Sequence, residues 1–229
     1  MKDFIPGLKL SELFYAEAAK PILDAFFPQL SYSAALLGWG SEVLGYDDVQ
    51  SSDHHWGPRF LLFFSPADYK QYKDAISETL SRNLPHRFRG YATSFGKPDE
   101  IGVRLPSETD SGPVNHMIHI ETIEGFFRWC LGCNPYAKLT AADWLSFSEN
   151  KLLAVTSGRV FHDVLGELEE IRRNFITTRG IFGSIRLRLS GSNSPRPTAC
   201  LCCLDGHRLH RPFSSPRYRV ASDLHTWDV

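Results

Sequence analysis

Residues 38–65 read GWGSEVLGYDDVQSSDHHWGPRFLLFFS, and this stretch decides which fold the chain can adopt. An apolar run, residues 32–37, precedes it and is typical of a short buried strand. The glycines on either side of Trp39 then predict a turn, with Ser41 as the N-cap of a short helix. The hydrophobic run from Phe60 to Phe64 predicts a second strand. The predicted order is therefore strand, glycine turn, short helix, loop and strand.

This order of elements is one way in which a fold presents a nucleoside triphosphate to a metal ion. Backbone N–H groups at a glycine-rich helix start attract phosphate, so Gly40 and Ser41 are predicted to form a triphosphate-binding turn. A carboxylate just before the next strand can hold the divalent cation that bridges the phosphates, and Asp53 has that position. The alternative for Asp53 is a structural role as a cap of the turn before the strand.

The same residues resemble the nucleotidyltransferase superfamily, whose signature is a Gly-Ser pair followed, after a short helix, by an acidic pair on a strand. More narrowly, GWGSEVLGYDD and DHHWGPR are similar to an uncharacterised microbial family, a domain of unknown function related to these transferases. The later strings Asp143-Trp144-Leu145 and Val160-Phe161-His162-Asp163 also resemble that family, so the resemblance covers about residues 4–175. It implies an α+β fold, with a small mixed sheet flanked by helices.

The resemblance also implies a reaction, the transfer of a nucleotidyl group from an NTP to an acceptor with Mg²⁺ as the cofactor. Asp53 matches the first metal carboxylate of the superfamily, whereas the second position, which should be acidic, is His55. Imidazole suits zinc and other softer metals better than Mg²⁺. His55 therefore predicts weakened Mg²⁺ binding, a different metal or a site that no longer catalyses. The remaining alternative is a solvent-facing His55 without a role.

The superfamily uses a third carboxylate on a neighbouring strand, and Glu121 is our candidate for it. Residues 115–122 predict that strand, in which Met117, His119 and Glu121 share one face. The alternative is an exposed Glu121 at the strand end. Arg59 is predicted to contact a phosphate or a carboxylate of the site, with a structural ion pair as the alternative. The predicted site thus has Asp53 and Glu121 as catalytic residues, Gly40, Ser41 and Arg59 as nucleotide ligands, and Asp53, His55 and Glu121 as metal ligands.

Composition limits the classes of function that the chain can have. A net charge of −1 argues against general nucleic-acid binding. No apolar run is long enough to cross a membrane, the N-terminus lacks a signal peptide, and five cysteines without a framework spacing fit a reducing compartment. We therefore expect a cytoplasmic protein without a membrane partner. Its expected partners are an NTP and an unknown small-molecule or protein acceptor.

Residues 175–229 differ in composition from the rest of the chain. They contain eight Arg and three Asp but no Lys or Glu, and they are rich in Ser, Pro and Cys. Such a segment buries too little apolar surface to offset the entropy lost on ordering. We therefore predict a nucleotidyltransferase-like domain over residues 1–174 and a poorly ordered tail over residues 175–229. The tail takes the place of helices that the family has there, which we expect to impair activity.

Two other classes of function remain open. The first is a non-catalytic relative of the same fold that binds a nucleotide or a protein. The second is a zinc-stabilised interaction domain, in which His54, His55, His116 and His119 are the candidate ligands. The pair Cys130 and Cys133 falls at the C-terminal end of a predicted helix, which is the wrong end for a redox motif. Elsewhere, the pattern predicts a strand over residues 88–95 and a helix over residues 160–174 that begins near Asp163.

Overall fold

The computed structural model of the chain describes residues 4–48, 56–100 and 104–189, with side chains as far as residue 181. The predicted metal ligands Asp53 and His55 lie outside the described residues. Internal contacts divide the chain into two units, and all described residues belong to the first unit, Met1–Gly191. Most of the predicted tail likewise lies outside the described residues.

A four-stranded mixed sheet forms the centre of the described fold. Its strands and those of a separate two-stranded ribbon are β1 (Tyr32–Leu36), β2 (Arg59–Phe64), β3 (Arg87–Phe88), β4 (Tyr91–Ala92), β5 (Met117–Thr122) and β6 (Arg159–Asp163). The order in the sheet is β5-β2-β1-β6. β1 runs antiparallel to β2 and to β6, whereas β2 and β5 are parallel. The end of β1 and the start of β2 consequently lie at the same end of the sheet.

Helices pack on both faces of this sheet. They are α1 (Gly7–Phe14), α2 (Lys20–Phe26), α3 (Ser41–Leu44), α4 (Pro66–Asn83), α5 (Ile123–Leu131), α6 (Ala141–Ser146), α7 (Glu149–Thr156) and α8 (Leu168–Leu189). A π-helical segment, Tyr15–Ala19, joins α1 to α2 just before Pro21, which cannot donate the backbone hydrogen bond of a regular helix. The predicted α+β class is confirmed. None of the described helices is long and apolar enough to span a membrane.

The alternation of side chains along the strands divides the core into two clusters. On one face, residues such as Phe60, Leu62 and Phe64 pack against α1, α2 and α4. On the other face, Leu61 and Phe63 pack against α5, α7 and α8. Every residue of β1 and β2 is buried. This burial on both faces explains why β1 and β2 are largely continuous apolar runs in the sequence and do not alternate with polar residues.

The predicted strand over residues 88–95 is wrong, because the chain reverses direction within it. β3 and β4 pair antiparallel across a two-residue turn at Arg89 and Gly90, which have φ angles of 49° and 80°. Positive φ at both central residues is the requirement of the tight hairpin turn that matches strand twist. The hydrophobic pattern did not reveal this reversal, because Arg89 is an unusual residue for a positive φ.

The predicted helix over residues 160–174 is wrong in its first part. Residues 159–163 form the strand β6, which pairs with β1, and the helix α8 begins only at Leu168. Asp163 nevertheless serves the start of α8, since its carboxylate accepts the backbone N–H groups of Gly166 at 3.2 Å and Glu169 at 3.0 Å. Pairing with β1 satisfies the backbone of residues 159–163, and this tertiary contact overrides the local helical pattern.

Helix α8 crosses the domain boundary that the sequence predicted at residue 174. Phe175 is 3% exposed. Its ring centroid lies 5.1 Å from that of Phe127 in α5 and 5.0 Å from that of Trp144 in α6. The folded core therefore includes Phe175, and α8 continues as far as Leu189.

We expect Phe175→Ala to destabilise the chain by about 3–5 kcal/mol, because it removes a buried ring between α5 and α6. The neighbouring Ile176 is 49% exposed, so Ile176→Ala should change the free energy of unfolding by no more than about 0.5 kcal/mol. Urea unfolding followed by far-UV circular dichroism measures both variants. Equal, small effects would show that the core ends before Phe175.

Candidate functional site

The predicted triphosphate-binding turn leaves β1 and leads into α3. Gly38 and Gly40 have φ angles of 98° and 142°, which residues with side chains rarely adopt. The N-cap of α3 is Gly40 and not Ser41, which is the first helical residue. A glycine cannot cap a helix with its side chain, so α3, like α1 and α2, receives no side-chain bond from its N-cap residue. The N-caps that accept such a bond are Ser65 in α4, Thr122 in α5, Thr140 in α6 and Ser148 in α7.

A buried ion pair fixes this turn to the start of β2. The Nε of Arg59 donates to Oε1 of Glu42 at 2.9 Å, and its Nη2 contacts the same oxygen. Nη2 also donates to the carbonyl of Trp39 at 2.9 Å. Glu42 is 3% exposed and Arg59 8% exposed. A Cβ at Gly40 would lie 2.5 Å from Oε2 of Glu42 and 2.7 Å from Nη2 of Arg59, so only glycine fits beside the pair.

Arg59 therefore takes part in a structural ion pair, one of the two roles that the sequence left open for it. Its guanidinium is already bonded to a carboxylate and to a backbone carbonyl. A contact between Arg59 and a phosphate stays a prediction. What the structure adds is that Arg59 determines the shape of the turn.

Asp47 holds a second side of the turn region together. Its Oδ2 accepts the indole N–H of Trp56 at 3.0 Å and the backbone N–H of Gly7 at 2.6 Å. A Cβ at Gly7 would lie 2.7 Å from Nε1 of Trp56. The start of α1 can therefore lie this close to Trp56 only because residue 7 is glycine. Asp47 thus joins the start of α1, the residues after α3 and the residue that leads into β2.

The turn is also bonded from the side of α7 and β6. The N–H of Gly38 donates to the carbonyl of Ala154 at 2.8 Å, and the N–H of Gly158 donates to the carbonyl of Val43 at 3.0 Å. Gly158 has a φ of 75°, and a Cβ there would lie 2.0 Å from the carbonyl oxygen of Leu36. The segment between α7 and β6 can therefore reach the turn only because residue 158 is glycine.

Arg172 in α8 keeps this segment in place. Its Nε donates to the carbonyl of Val155 at 3.1 Å, and its Nη2 donates to the carbonyls of Thr156 and Ser157 at 3.0 Å each. These carbonyls lie at the C-terminal end of α7, where a positive charge is favourable. Burial lowers the pKa of the Arg172 guanidinium. Through Arg172, the helix α8 positions α7, and α7 positions the turn.

Glu121 lies away from the turn. It pairs in register with Phe63, whereas Arg59 pairs with Met117. The four-residue offset between Arg59 and Phe63 corresponds to about 13 Å along a strand. The Oε1 of Glu121 accepts the backbone N–H of Thr122 at 2.8 Å. The structure thus brings Gly40, Ser41 and Arg59 together at one end of the sheet and leaves Glu121 at the other end.

The described residues contain no ready-made metal centre. No group of three or more His, Cys, Asp or Glu among them could hold a metal ion. Of the candidate zinc ligands, His116 already has both ring nitrogens engaged. Its Nδ1 accepts the N–H of Ile118 at 3.2 Å, and its Nε2 lies 3.1 Å from the carbonyl of Ser77. Burial raises the pKa of the Cys130 thiol to about 12, so this cysteine is neither a ready thiolate ligand nor a redox nucleophile.

The segment that bonds the turn from the side of α7 and β6 also matches a family model. A family model described as "Domain of unknown function (DUF4037)" matches residues 144–179. The matched segment includes Ala154, Gly158 and Arg172, together with the string Val160-Phe161-His162-Asp163. The string from Gly38 to Arg59, which carries the resemblance to nucleotidyltransferases, lies outside the match. No curated protein and no solved structure matches the chain.

The ion pair between Glu42 and Arg59 predicts a large effect of removing one charge. We expect Glu42→Gln to destabilise the chain by about 3–5 kcal/mol, because it leaves the Arg59 charge buried and unpaired. Glu78→Gln is the matched control, since Glu78 pairs with Arg82 at the exposed surface of α4 and should contribute no more than about 0.5 kcal/mol. Urea unfolding compares the two variants. A Glu42→Gln effect as small as the control would contradict a tightly buried pair.

His116 predicts a dependence of stability on pH. Burial lowers the pKa of His116 below its usual 6.5, and the charge of Arg104 lowers it as well, whereas the carbonyl of Ser77 opposes the shift. The contribution of a group with a lowered pKa is present above its unfolded-state pKa and is lost as the pH falls through its folded-state pKa. Unfolding free energies at about pH 7.5 and about pH 5.5 should therefore differ less in His116→Gln than in the wild type. An identical pH dependence in both proteins would exclude this role.

Proposed function

We propose that the chain binds a nucleoside triphosphate at the turn Gly38–Ser41 and is a nucleotidyltransferase-like protein. The observation that supports this proposal is the rigid glycine turn between two neighbouring antiparallel strands. Its backbone leads into a helix whose cap residue, Gly40, has no side chain with which to bond the first N–H groups. Such N–H groups are suited to bind phosphate oxygens.

The turn is held in one conformation from three sides. Arg59 fixes it to β2, Asp47 joins the residues after α3 to α1 and Trp56, and Ala154 and Gly158 bond it to the α7 side. A site held in this way loses little conformational entropy when a ligand binds. The buried ion pair, for this reason, supports the proposal even though Arg59 is not required to touch the phosphate.

In the proposed reaction, the chain transfers a nucleotidyl group from an NTP to an unknown acceptor hydroxyl, and pyrophosphate leaves. Asp53 is proposed as the carboxylate that would hold Mg²⁺, and the cation would supply positive charge to stabilise the phosphates during transfer. This assignment is taken from the sequence, because Asp53 lies outside the described residues. Glu121 takes no part in the proposal, since it lies at the other end of the sheet.

A second candidate function is nucleotide binding without catalysis. The specific observation that favours it is His55, which stands where the resemblance calls for a second carboxylate. A nitrogen ligand is a poor substitute for an oxygen ligand of Mg²⁺. The two candidates agree on the turn and on Asp53, and they differ only in whether pyrophosphate is released.

We expect Asp53→Asn to weaken the binding of ATP in the presence of Mg²⁺ by about tenfold or more, because the variant loses the charged oxygen ligand that the cation prefers. Isothermal titration calorimetry on the full chain measures the affinity. Glu121→Gln is the matched control, and its affinity should equal that of the wild type because Glu121 lies away from the turn.

Four outcomes decide between the possibilities. Binding that depends on Asp53 and is accompanied by pyrophosphate release supports the transferase. The same binding without pyrophosphate release supports the non-catalytic candidate. Equal affinity of the wild type and Asp53→Asn would overturn the metal site, and a loss of affinity in Glu121→Gln would show that the binding site is at the other end of the sheet.

A further inference from the structure

Two exposed tryptophans lie together beside the turn. Trp39 is 46% exposed and Trp129, in α5, is 59% exposed. Their ring centroids are 4.5 Å apart and their planes are nearly perpendicular, at 85°. An edge-to-face pair with this much exposure presents indole surface to solvent. A large aromatic pair on the surface calls for an explanation, because many other aromatic rings of the described residues are buried in the two core clusters.

Both rings are carried by parts of the molecule that are fixed. The carbonyl of Trp39 accepts a hydrogen bond from Arg59 at 2.9 Å, and the flanking Gly38 and Gly40 give the backbone its turn conformation. The ring of Trp129 lies 6.5 Å from that of Phe126, which is 3% exposed and belongs to the core. The exposed aromatic surface is therefore preformed and needs no rearrangement to accept a ligand.

The size of this surface fits a small planar ligand better than a protein partner. Two indoles that are about half exposed offer roughly 250 Å² of aromatic surface. A stable protein interface needs about 800 Å² from each partner. A nucleobase, in contrast, needs only one open aromatic face, and base–aromatic stacking is a common mode of nucleotide recognition.

We propose that Trp39 and Trp129 form a stacking platform for the base of the nucleotide whose triphosphate binds at Gly40 and Ser41. This inference rests on the proposed function and adds the ligand's base to it. Trp39 directly precedes Gly40, so the platform adjoins the phosphate-binding turn. Stacking uses the π face that every base has, so we expect the affinity to vary only modestly among ATP, GTP, CTP and UTP.

The test compares a nucleotide with a ligand that has the phosphates but no base. The probes are Mg²⁺–ATP and Mg²⁺–tripolyphosphate, titrated into the full chain by calorimetry. Trp129→Ala should weaken the binding of ATP by about tenfold or more and leave the binding of tripolyphosphate unchanged. Trp39→Ala should do the same, and Trp129→Phe, which keeps an aromatic face, should retain most of the affinity for ATP. Phe26→Ala, which removes a ring that is 57% exposed on α2, is the control and should change neither affinity.

The outcomes separate this inference from the proposed function. If the Trp129→Ala variant binds ATP as tightly as the wild type does, the platform is excluded while the phosphate site stands. If both tryptophan variants lose ATP and tripolyphosphate equally, the rings only support the turn, and the base-stacking role is overturned. If the wild type binds neither probe, the proposed function fails and the platform falls with it. Trp129→Ala decides the question alone should Trp39→Ala fail to fold.

Discussion

The buried contact between Arg59 and Glu42 is the interaction on which the candidate site depends. Two opposite charges under a tenth exposed are expensive to remove from water, and a pair of this kind adds little net stability compared with apolar residues. Its importance is geometric. The planar guanidinium of Arg59 donates hydrogen bonds both to Glu42 and to the carbonyl of Trp39. These bonds fix the direction of the chain as it leaves β1. Gly40 is the residue that leaves room for the pair.

The mixed sheet explains why the site is at one end and not at the other. Because β1 and β2 are antiparallel, the turn after β1 meets the residues that enter β2. β5 runs parallel to β2, so the end of β5 lies at the opposite end of the sheet. Glu121 is near the end of β5 and therefore lies far from the turn.

The segment matched by the family of unknown function has a structural role in this arrangement. Arg172 in α8 caps α7, and Ala154 and Gly158 then bond the backbone of the turn. These contacts connect residues that are distant in sequence to the backbone of the turn. Helix α8 is consequently part of the site's support, and the buried Phe175 anchors it beyond the boundary that composition suggested.

The sequence by itself determined the buried strands β1 and β2, the glycine turn between them and the α+β class. Continuous apolar runs and a Gly-x-Gly turn are local signals that no distant contact needs to complete. Only the tertiary structure decided that Arg59 pairs with Glu42, that Glu121 is remote from the turn and that residues 159–163 form a strand. Each of these depends on strand order and direction. The hydrophobic pattern of a strand does not depend on whether its neighbour is parallel or antiparallel. Local periodicity therefore cannot predict which side chains of two strands come into contact.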